Sequence, residues 1–498
     1  MNTVFLNTLK LDGDRVIVKD GAAEGGGSSG GGGDVNPSAQ IADVNFRDYD
    51  GTILHSFSKS DFLALSDMPE LPLREGLICQ GWNYEIDAAK EYVSKYGKLD
   101  IGATYITDDG KTRLYIEIAE KGRMTITLYF SQTVSDGVTI DWGDGSATQT
   151  VSGSGSKNAS HAYAEVGKYT INLNPSDRCT LGLGHNTSSA ITVVGGSGDY
   201  NIVYKNMLKA VEIGNNIAEI GGYTFYQCYS LESVVIPDNV TKIGNNAFQQ
   251  CYSLASVVIP ANVTSIGNNT FSTCYSLTSL VIPDKVTSFG TSAFSSCYSL
   301  TSLVIPDKVT SIGTSAFSSC SSLTSLVIPD KVTSIGTNTF ANCYSLTSVV
   351  IPANVTSIGN SAFANCYSLT SLVIPDKVTS FGTNIFDSCY SLASVVISNN
   401  ITSISNYAFQ SCYSLASVVI PKNVTSIGNN AFYSCYGMYY YDFSQCTSVP
   451  TLGNSAVFTS ISSTCKMIVP DDLYDTWIAA TNWSSHKSKI VKASEFNG

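Results

Sequence analysis

Charged residues are scarce in this chain, and so are the residues that usually carry catalysis. Only 14% of the 498 residues are Asp, Glu, Lys or Arg, there are four histidines, and the net charge is −12. No basic cluster is present to neutralise phosphates, so we expect no nucleic-acid binding. The histidines fall in no metal-ligand or nucleophile–base pattern. The sequence therefore predicts a protein with no catalytic site, no metal and no other cofactor.

The sequence also contains no long apolar run. No stretch of about 18 apolar residues occurs, so we expect no insertion into a membrane. The first ten residues lack the basic start and apolar core of a secretory signal. We therefore expect either that a signal was removed or that the protein leaves the cell by another route, such as inside an assembled virus particle.

What the chain has in abundance is a 23-residue repeat, present ten times, of which Leu277–Ser299 is a clean copy. Leu280 and Ile282 are spaced to point into a core from a short strand, and Pro283 ends that strand because it has no N–H for the ladder. At Gly290 the chain changes direction, and we expect positive φ there. A fixed period of this length predicts a solenoid, whose coils bury their apolar sides by stacking on each other.

The repeat carries a recognisable signature. The pattern I-P-x-x-V-x-x-I-G-x-x-A-F-x-x-C-x-x-L is matched nearly residue for residue at Ile259–Leu277. It resembles the bacterial leucine-rich repeat family typified by BspA-like surface proteins. The resemblance implies a leucine-rich-repeat solenoid and, for function, adhesion or interaction with a host.

Ten of the fourteen cysteines recur once per repeat and form a column. We predict that they are reduced and buried in one small core position, where the pKa of a thiol is raised and its reactivity is low. The alternative is disulfides between adjacent coils, whose Cα spacing would be permitted. The column consists of Cys228, Cys251, Cys274, Cys297, Cys320, Cys343, Cys366, Cys389, Cys412 and Cys435.

A tyrosine follows nine of the ten column cysteines, and Ser321 takes its place after Cys320, in the fifth repeat. We predict that the tyrosines stack on each other and stabilise the solenoid. The alternative is a platform for sugar rings. For a glycan partner, the residues we select from this column are Tyr275, Tyr298, Tyr344 and Tyr367.

A second surface column lies on the strands. The residues on either side of Val281 point inward, so Val281 and its equivalents point outward and form an apolar stripe. Such a stripe suggests a contact surface, although valine is also simply a good strand former. For a protein partner we select Val281, Val304 and Val327. We expect charges at the two ends of the stripe, Glu212 and Asp442, to discourage end-to-end growth.

Part of the chain before the repeats reads as a β-sandwich. Thr139–Ser146 and His161–Leu173 resemble the PKD family of β-sandwich modules, in which the first element is a tight turn. The resemblance implies a spacer or a binding module. Asp141 and Asp144 are an alternative calcium site, but they lack the D-x-D-x-D-G register, and we predict a structural turn.

Two segments nearer the N-terminus point to a different source. Gly76–Asn83 and Gly102–Thr107 resemble parts of phage and prophage appendage proteins of gut bacteria. The resemblance implies a non-enzymatic head or tail fibre at the virion surface. Such a fibre is attached to other virion proteins by its N-terminus, is often a homotrimer, and adheres to a host-surface glycan or protein through the solenoid. The alternative is a BspA-like adhesin on the surface of a bacterial cell.

The complete chain is predicted to be modular and mostly β. The segments are 1–24, a β-hairpin for attachment; 25–34, a Gly/Ser linker; 35–120, a small α+β domain with helices at Ser60–Leu65 and Asp87–Tyr96; 121–207, the PKD-like sandwich and a connector; 208–437, the solenoid; and 438–498, a degenerate repeat and a cap with a helix over Val469–Trp483.

Overall fold

The computed structural model describes residues 9–12, 15–18, 43–119, 125–133, 137–176, 181–183, 191–193 and 206–496. Near the N-terminus, strands β1 (Leu9–Asp12) and β2 (Arg15–Val18) pair antiparallel, as the predicted hairpin requires. The predicted linker, residues 25–34, lies outside the described residues.

A small α+β module spans residues 43–107. Helix α1 (Lys59–Ala64) begins at Ser58, whose hydroxyl accepts a hydrogen bond from the backbone N–H of Asp61. Helix α2 (Ile86–Tyr96) ends at Gly97, which has a φ of 88°. Both helices lie within one residue of their predicted bounds. The sheet has the order β4-β3-β6-β5, with β3 at Val44–Arg47, β4 at Ile53–Phe57, β5 at Leu77–Trp82 and β6 at Leu99–Thr107.

A two-sheet sandwich follows the module. One sheet has the order β10-β9-β12-β7, and the other joins β11, β8 and β13, with β14 also pairing β8. Strand β7 pairs with β12 and so belongs to the sandwich sheet, whereas a boundary at 120 would place it in the α+β domain. The strands are β7 (Thr112–Ile118), β8 (Thr125–Gln132), β9 (Val138–Asp141), β10 (Gln149–Val151), β11 (Gly155–Ala162), β12 (Gly167–Pro175), β13 (Leu181–Leu183) and β14 (Ile191–Val193).

Both sheets of the sandwich continue into the solenoid. Strand β7 pairs with β15 (Leu208–Glu212), and β13 pairs with β16 (Ile217–Ile220). Glu212 therefore faces the sandwich, where its carboxylate accepts a hydrogen bond from Tyr115 Oη at 2.9 Å and lies 3.6 Å from the Arg113 guanidinium. The prediction that Glu212 marks an open end of the sheet is wrong, because a strand of the sandwich covers that end.

The solenoid has about 12 turns rather than ten, and its coils stack as parallel strands on two sides. We call the three-residue strands the front sheet and the two-residue strands the lateral sheet. The front strands are Ser233–Val235, Ser256–Val258, Ser279–Val281, Ser325–Val327, Ser348–Val350, Ser371–Val373, Ser394–Val396 and Ser417–Val419, with a single bridge from Ser302 to Ser325. The lateral strands are Lys242–Ile243, Ser288–Phe289, Ser311–Ile312, Ser334–Ile335, Ser357–Ile358, Ser403–Ile404, Ser426–Ile427 and Thr451–Leu452.

The third side of each coil is a pair of tight turns. In one coil, Ser292 and Ser296 have φ values of 52° and 61°, and the Ser292 N–H donates to the carbonyl of Thr314 in the next coil at 2.9 Å. Gly290 is not among the residues with positive φ, so that prediction is wrong. A Cβ on Gly290 would lie 2.6 Å from the backbone nitrogen of Asn268. The glycine is needed because adjacent coils approach closely there.

The cysteine column lies in the core as predicted. All ten column cysteines are buried free thiols, and no disulfide joins any of the 13 cysteines that the structure describes. From Cys251 onward, each Sγ donates to the carbonyl of a phenylalanine in the preceding coil, at 3.1–3.3 Å. Burial raises the pKa of Cys274 and of Cys320 to about 12. The thiol therefore serves as a small, inert core group that also donates a hydrogen bond.

The C-terminal end extends the front sheet before closing the core. Tyr440–Asp442, Lys466–Val469 and Ile490–Lys492 are further parallel strands, so Asp442 lies inside the sheet and not at its end. The predicted helix is shorter than expected, at Tyr474–Ala479, because the chain turns at Ala480. Trp477 and Trp483 pack on Phe443 at the end of the core. Three 3-10 turns complete this region: Asp471–Leu473, Ser484–His486 and Ala493–Glu495.

Candidate partner-binding surface

The α+β module lies against the first half of the front sheet. Val235, Val258 and Val281 of the valine column are only 4%, 6% and 3% exposed. Contact is so close that a Cβ on Gly102 would lie 2.6 Å from Val258 Cγ1. The prediction that Val281 faces solvent is therefore wrong. The strand alternation does point it outward, but another part of the same chain covers it.

Three side chains of the module donate hydrogen bonds to backbone carbonyls of three successive coils. Each donor is at most 5% exposed, so water does not compete for these bonds. The bonds run from Asn83 Nδ2 to the Ile259 oxygen at 3.3 Å, from Tyr84 Oη to the Ile282 oxygen at 3.0 Å, and from Tyr92 Oη to the Ile305 oxygen at 2.9 Å.

The proline of each repeat explains why these carbonyls are available. At the end of a front strand, the N–H of Ile259 donates to the Val281 carbonyl of the next coil at 3.1 Å. One residue further on, the donor to the Ile282 carbonyl would be Pro260, which has no N–H. A buried carbonyl needs a donor from elsewhere, and Tyr84 supplies it. The proline column therefore creates a row of backbone acceptors along one edge of the front sheet.

Polar contacts hold the two ends of the docked module. Gln80 Oε1 accepts a hydrogen bond from the Asp238 N–H at 2.9 Å. At the other end, the Lys95 ammonium lies 3.0 Å from the Asp330 carboxylate and 3.8 Å from that of Asp307. Because the three side chains are 28–56% exposed to solvent, these ion pairs contribute less than the buried tyrosine bonds.

Sequence reasoning missed Tyr84 and Tyr92 as contact residues. The sequence predicts helix α2 but not the sheet on which it packs. A signal was present in the spacing of Tyr92 and Tyr96, which puts two large aromatic rings next to Lys95 on a helix of only 11 residues.

Among the residues that the structure describes, none covers the second half of the front sheet in this way. Val304 packs on the module and Val327 is half-buried, and beyond them the column is exposed. We call the four coils from Ser348–Val350 to Ser417–Val419 the open window. Its valines are Val350, Val373, Val396 and Val419, which are 61%, 60%, 59% and 51% exposed.

The open window repeats the acceptors as well as the valines. The carbonyls of Ile351, Ile374 and Ile397 follow the same geometry, since their ladder donors would be Pro329, Pro352 and Pro375. No hydrogen bond to these three carbonyls is found within the described parts of the chain. On the far side the window is bounded by the C-terminal tail, where the Phe496 ring lies 5.4 Å from that of Tyr440.

The tyrosine column forms two stacked ladders. Rings from Tyr229 to Tyr298 are 4.6–4.8 Å apart and within 8° of parallel. A second ladder begins at Tyr344, with rings 4.6–4.7 Å apart as far as Tyr413. Tyr275 and Tyr367 have both faces covered by neighbouring rings, as the structural interpretation of the column expects. Tyr298 and Tyr344 each have one face uncovered.

The acidic turn of the sandwich is fully engaged within the protein. Asp141 Oδ1 accepts from the Gly143 N–H at 2.9 Å. Partial burial would raise the pKa of Asp144, but hydrogen bonds from Ser146 and His161 outweigh it and lower the pKa to about 2. No group of three or more His, Cys, Asp or Glu residues that could hold a metal occurs among the described residues.

No helix within the described ranges is both long enough and apolar enough to cross a bilayer.

The fold and its surface define a leucine-rich-repeat solenoid with a docked N-terminal module. The family model for the BspA type leucine rich repeat region matches residues 199–324 and 312–439, in six copies. The chain belongs to this BspA-type family.

Several solved structures are similar to this chain. A leucine-rich repeat protein from T. pallidum is 32% identical to this chain, with a TM-score of 0.30. The match covers 37% of this chain and 83% of the T. pallidum chain. A leucine rich cell surface protein from Faecalibacterium prausnitzii is 27% identical, with a TM-score of 0.37, and the match covers 61% of this chain and 92% of that one. A leucine-rich repeat protein from Bacteroides ovatus is 23% identical, with a TM-score of 0.34, and the match covers 63% of this chain and 95% of that one. Comparison with curated protein sequences gave no significant match.

Proposed function

We propose that this protein is a non-enzymatic bacterial cell-surface adhesin that binds a protein partner through the open window. The observation that carries the proposal is that the same front sheet already binds a folded domain in its first half. The window offers the same valines and the same proline-created acceptors. Membership of the BspA-type family supports an adhesin-like role at a cell surface.

The chemistry of the window favours a neutral partner. Its contact groups are valines, serines and backbone carbonyls, and few charges are close enough to steer a ligand. Each coil contributes a weak contact, and the fixed spacing of the coils multiplies such contacts. A matching partner surface presents apolar side chains and hydrogen-bond donors, as Asn83, Tyr84 and Tyr92 do in the docked module.

The virion appendage remains the alternative. Its support is the resemblance of Gly76–Asn83 and Gly102–Thr107 to phage proteins. These segments contain two residues of the docking contact, since Asn83 bonds the Ile259 carbonyl and also accepts from the Gly102 N–H at 2.8 Å. Neighbouring capsid and portal genes would favour the virion, whereas protease removal of the protein from intact bacterial cells would favour the cell surface.

The proposed function is tested by placing charges in the window. The double variant Val373→Arg/Val396→Arg alters two exposed side chains and should leave folding intact, because surface substitutions rarely change stability by more than about 0.5 kcal/mol. Thr379→Arg, at an exposed position of the same region outside the valine column, is the matched control. Binding of the purified protein to epithelial cells is measured by flow cytometry.

We expect the double variant to bind at least about tenfold more weakly, and the control to bind like the wild type. Treating the cells with protease should abolish binding, whereas treating them with glycosidases should not. Unchanged binding by the folded double variant would show that the window is not the contact surface. Sensitivity to glycosidases alone would replace the protein partner with a glycan.

A further inference from the structure

We propose that the gap in the tyrosine column at Ser321 is a binding slot for one planar aromatic ring. We infer further that the ring is a side chain of the same protein partner, which rests on the proposed function. The slot lies between the uncovered faces of Tyr298 and Tyr344, which are 44% and 42% exposed. The interior rungs Tyr275 and Tyr367 are half-buried.

The gap has the width of one missing rung. The backbone passes through it without a change of register, because the Ser322 N–H donates to the Tyr298 carbonyl at 3.2 Å and the Ser345 N–H to the Ser321 carbonyl at 3.1 Å. Adjacent rungs are 4.6–4.8 Å apart, so the rings of Tyr298 and Tyr344 are separated by about twice one strand spacing, roughly 9.5 Å. A ring placed midway would lie within the centroid distances that aromatic pairs prefer.

Within the column, Ser321 supplies no ring to the gap. The Ser321 hydroxyl folds back and donates to the Tyr298 carbonyl at 3.3 Å. Beneath it, the core keeps its spacing, since the Phe317 ring is 5.4 Å from Phe294 and 5.6 Å from Phe340. The coils therefore do not collapse towards each other, and the two tyrosine faces remain apart.

An aromatic ring suits the slot better than a sugar. The gap arises by removal of one phenol ring from a regular ladder, so a flat ring restores the contacts found at every other step. A pyranose chair is thicker and carries hydroxyl groups that need polar partners, whereas the Ser321 hydroxyl is already bonded to the backbone. Ser321 lies near the end of the coil Leu300–Ser322, so the slot comes just before the front strand Ser325–Val327, which directly precedes the open window. A partner on the window is thus in reach of the slot.

The test uses p-cresol as the probe, with binding followed by saturation-transfer NMR. Ser321→Tyr completes the ladder and should both abolish the p-cresol signal and raise the midpoint of thermal unfolding by about 2 °C. Tyr390→Ser is the matched control. It opens a second gap, between Tyr367 and Tyr413, and should double the number of p-cresol sites.

Equal binding of p-cresol to the wild type and to Ser321→Tyr would show that the gap at Ser321 does not bind an aromatic ring. Binding of methyl β-glucoside to the wild type, lost in Ser321→Tyr and not matched by p-cresol, would overturn the choice of an aromatic ring. The slot and the proposed function are tested independently of each other. The variant Val373→Arg/Val396→Arg should no longer bind cells but should still bind p-cresol. If Ser321→Tyr binds cells like the wild type, the ring does not belong to the partner.

Discussion

The two halves of the front sheet have the same repeat sequence and different surroundings. In the first half, Ser279 and Val281 are 7% and 3% exposed beneath the α+β module. In the second half, Ser371 is exposed and Val373 is 60% exposed. The comparison teaches that the repeat determines how a coil folds, whereas the use of its outer surface depends on a domain far away in the chain.

The docked half also shows what kind of recognition the repeat supports. The three buried hydrogen bonds of Asn83, Tyr84 and Tyr92 end on backbone carbonyls of isoleucine, which are presented in the same way by every coil that follows a coil with a proline. Backbone acceptors carry no side-chain identity, so the specificity of a contact lies in the spacing of the donors on the visiting surface. Ser398 replaces the proline in one coil, and its N–H is available to the ladder, so the row of acceptors ends near Ile397.

The largest expected difference between the halves appears at alkaline pH. Burial raises the folded-state pKa of the column thiols from Cys251 to Cys435, to about 12 for Cys274 and Cys320. The stability that these neutral buried thiols give the fold is therefore fully present below the pKa of an unfolded thiol. Above a pH of about 9 the thiols of the unfolded chain ionise while the buried thiols stay neutral. The free energy of unfolding therefore falls as the pH rises towards 12, by roughly 1.4 kcal/mol per thiol per pH unit. We expect the solenoid to unfold in this range, and the open half to unfold first because no module braces it.

Pulses of iodoacetamide at increasing pH, followed by peptide mass spectrometry, locate the opening. Cys366, Cys389 and Cys412 should be alkylated at a lower pH than Cys251 and Cys274. Simultaneous labelling of all column cysteines would mean that the module gives the first half no extra stability.

The next effect in size comes from placing the same charge in both halves. Val281→Arg buries an unpaired guanidinium under the module and should cost on the order of 3–5 kcal/mol, or release the module from the sheet. Val373→Arg makes the same change at an exposed equivalent position and should stay within about 0.5 kcal/mol. Urea unfolding curves give both values. Equal costs at the two positions would contradict the difference in burial.

The smallest effect concerns one acceptor. Tyr84→Phe removes only the hydroxyl that donates to the Ile282 carbonyl and should destabilise the docked module by about 1–2 kcal/mol, because the buried carbonyl loses its donor. Tyr298→Phe, which removes a hydroxyl from a half-open ladder position, is the control and should be nearly neutral. Hydrogen exchange of helix α2 reports the change. No increase in exchange would show that the bond does not hold the module.

Most of the coil could be predicted from the sequence because its causes are local. The inward leucines and isoleucines, the outward valines and the buried cysteine column follow from strand alternation and a fixed period. Helix α2 ends where Gly97 permits positive φ, and it was found within one residue. The family also follows from the signature at Ile259–Leu277.

The position of the module could not be predicted, for a physical reason. Coils such as those of Val281 and Val373 have nearly the same sequence, so nothing in either one tells which is covered. The contact joins residues about 200 positions apart, such as Tyr84 and Ile282, and depends on how sheets stack. Gly290 was explained incorrectly because the close approach of Asn268 comes from the neighbouring coil, which a single repeat does not reveal.

The direction of the hydrogen bonds in the solenoid has a mechanical consequence. Strands lie across the rod, so the bonds between coils run along it, and a pull on the two ends strains them one coil after another. The α+β module contacts the solenoid from the coil of Asp238 to that of Asp330, so its own covalent and hydrogen bonds bear part of the tension there. In the open window, the bonds between the coils bear all of the tension. A partner that spans the window would bear part of the tension there as well, so that the rod resists tension best while it is attached.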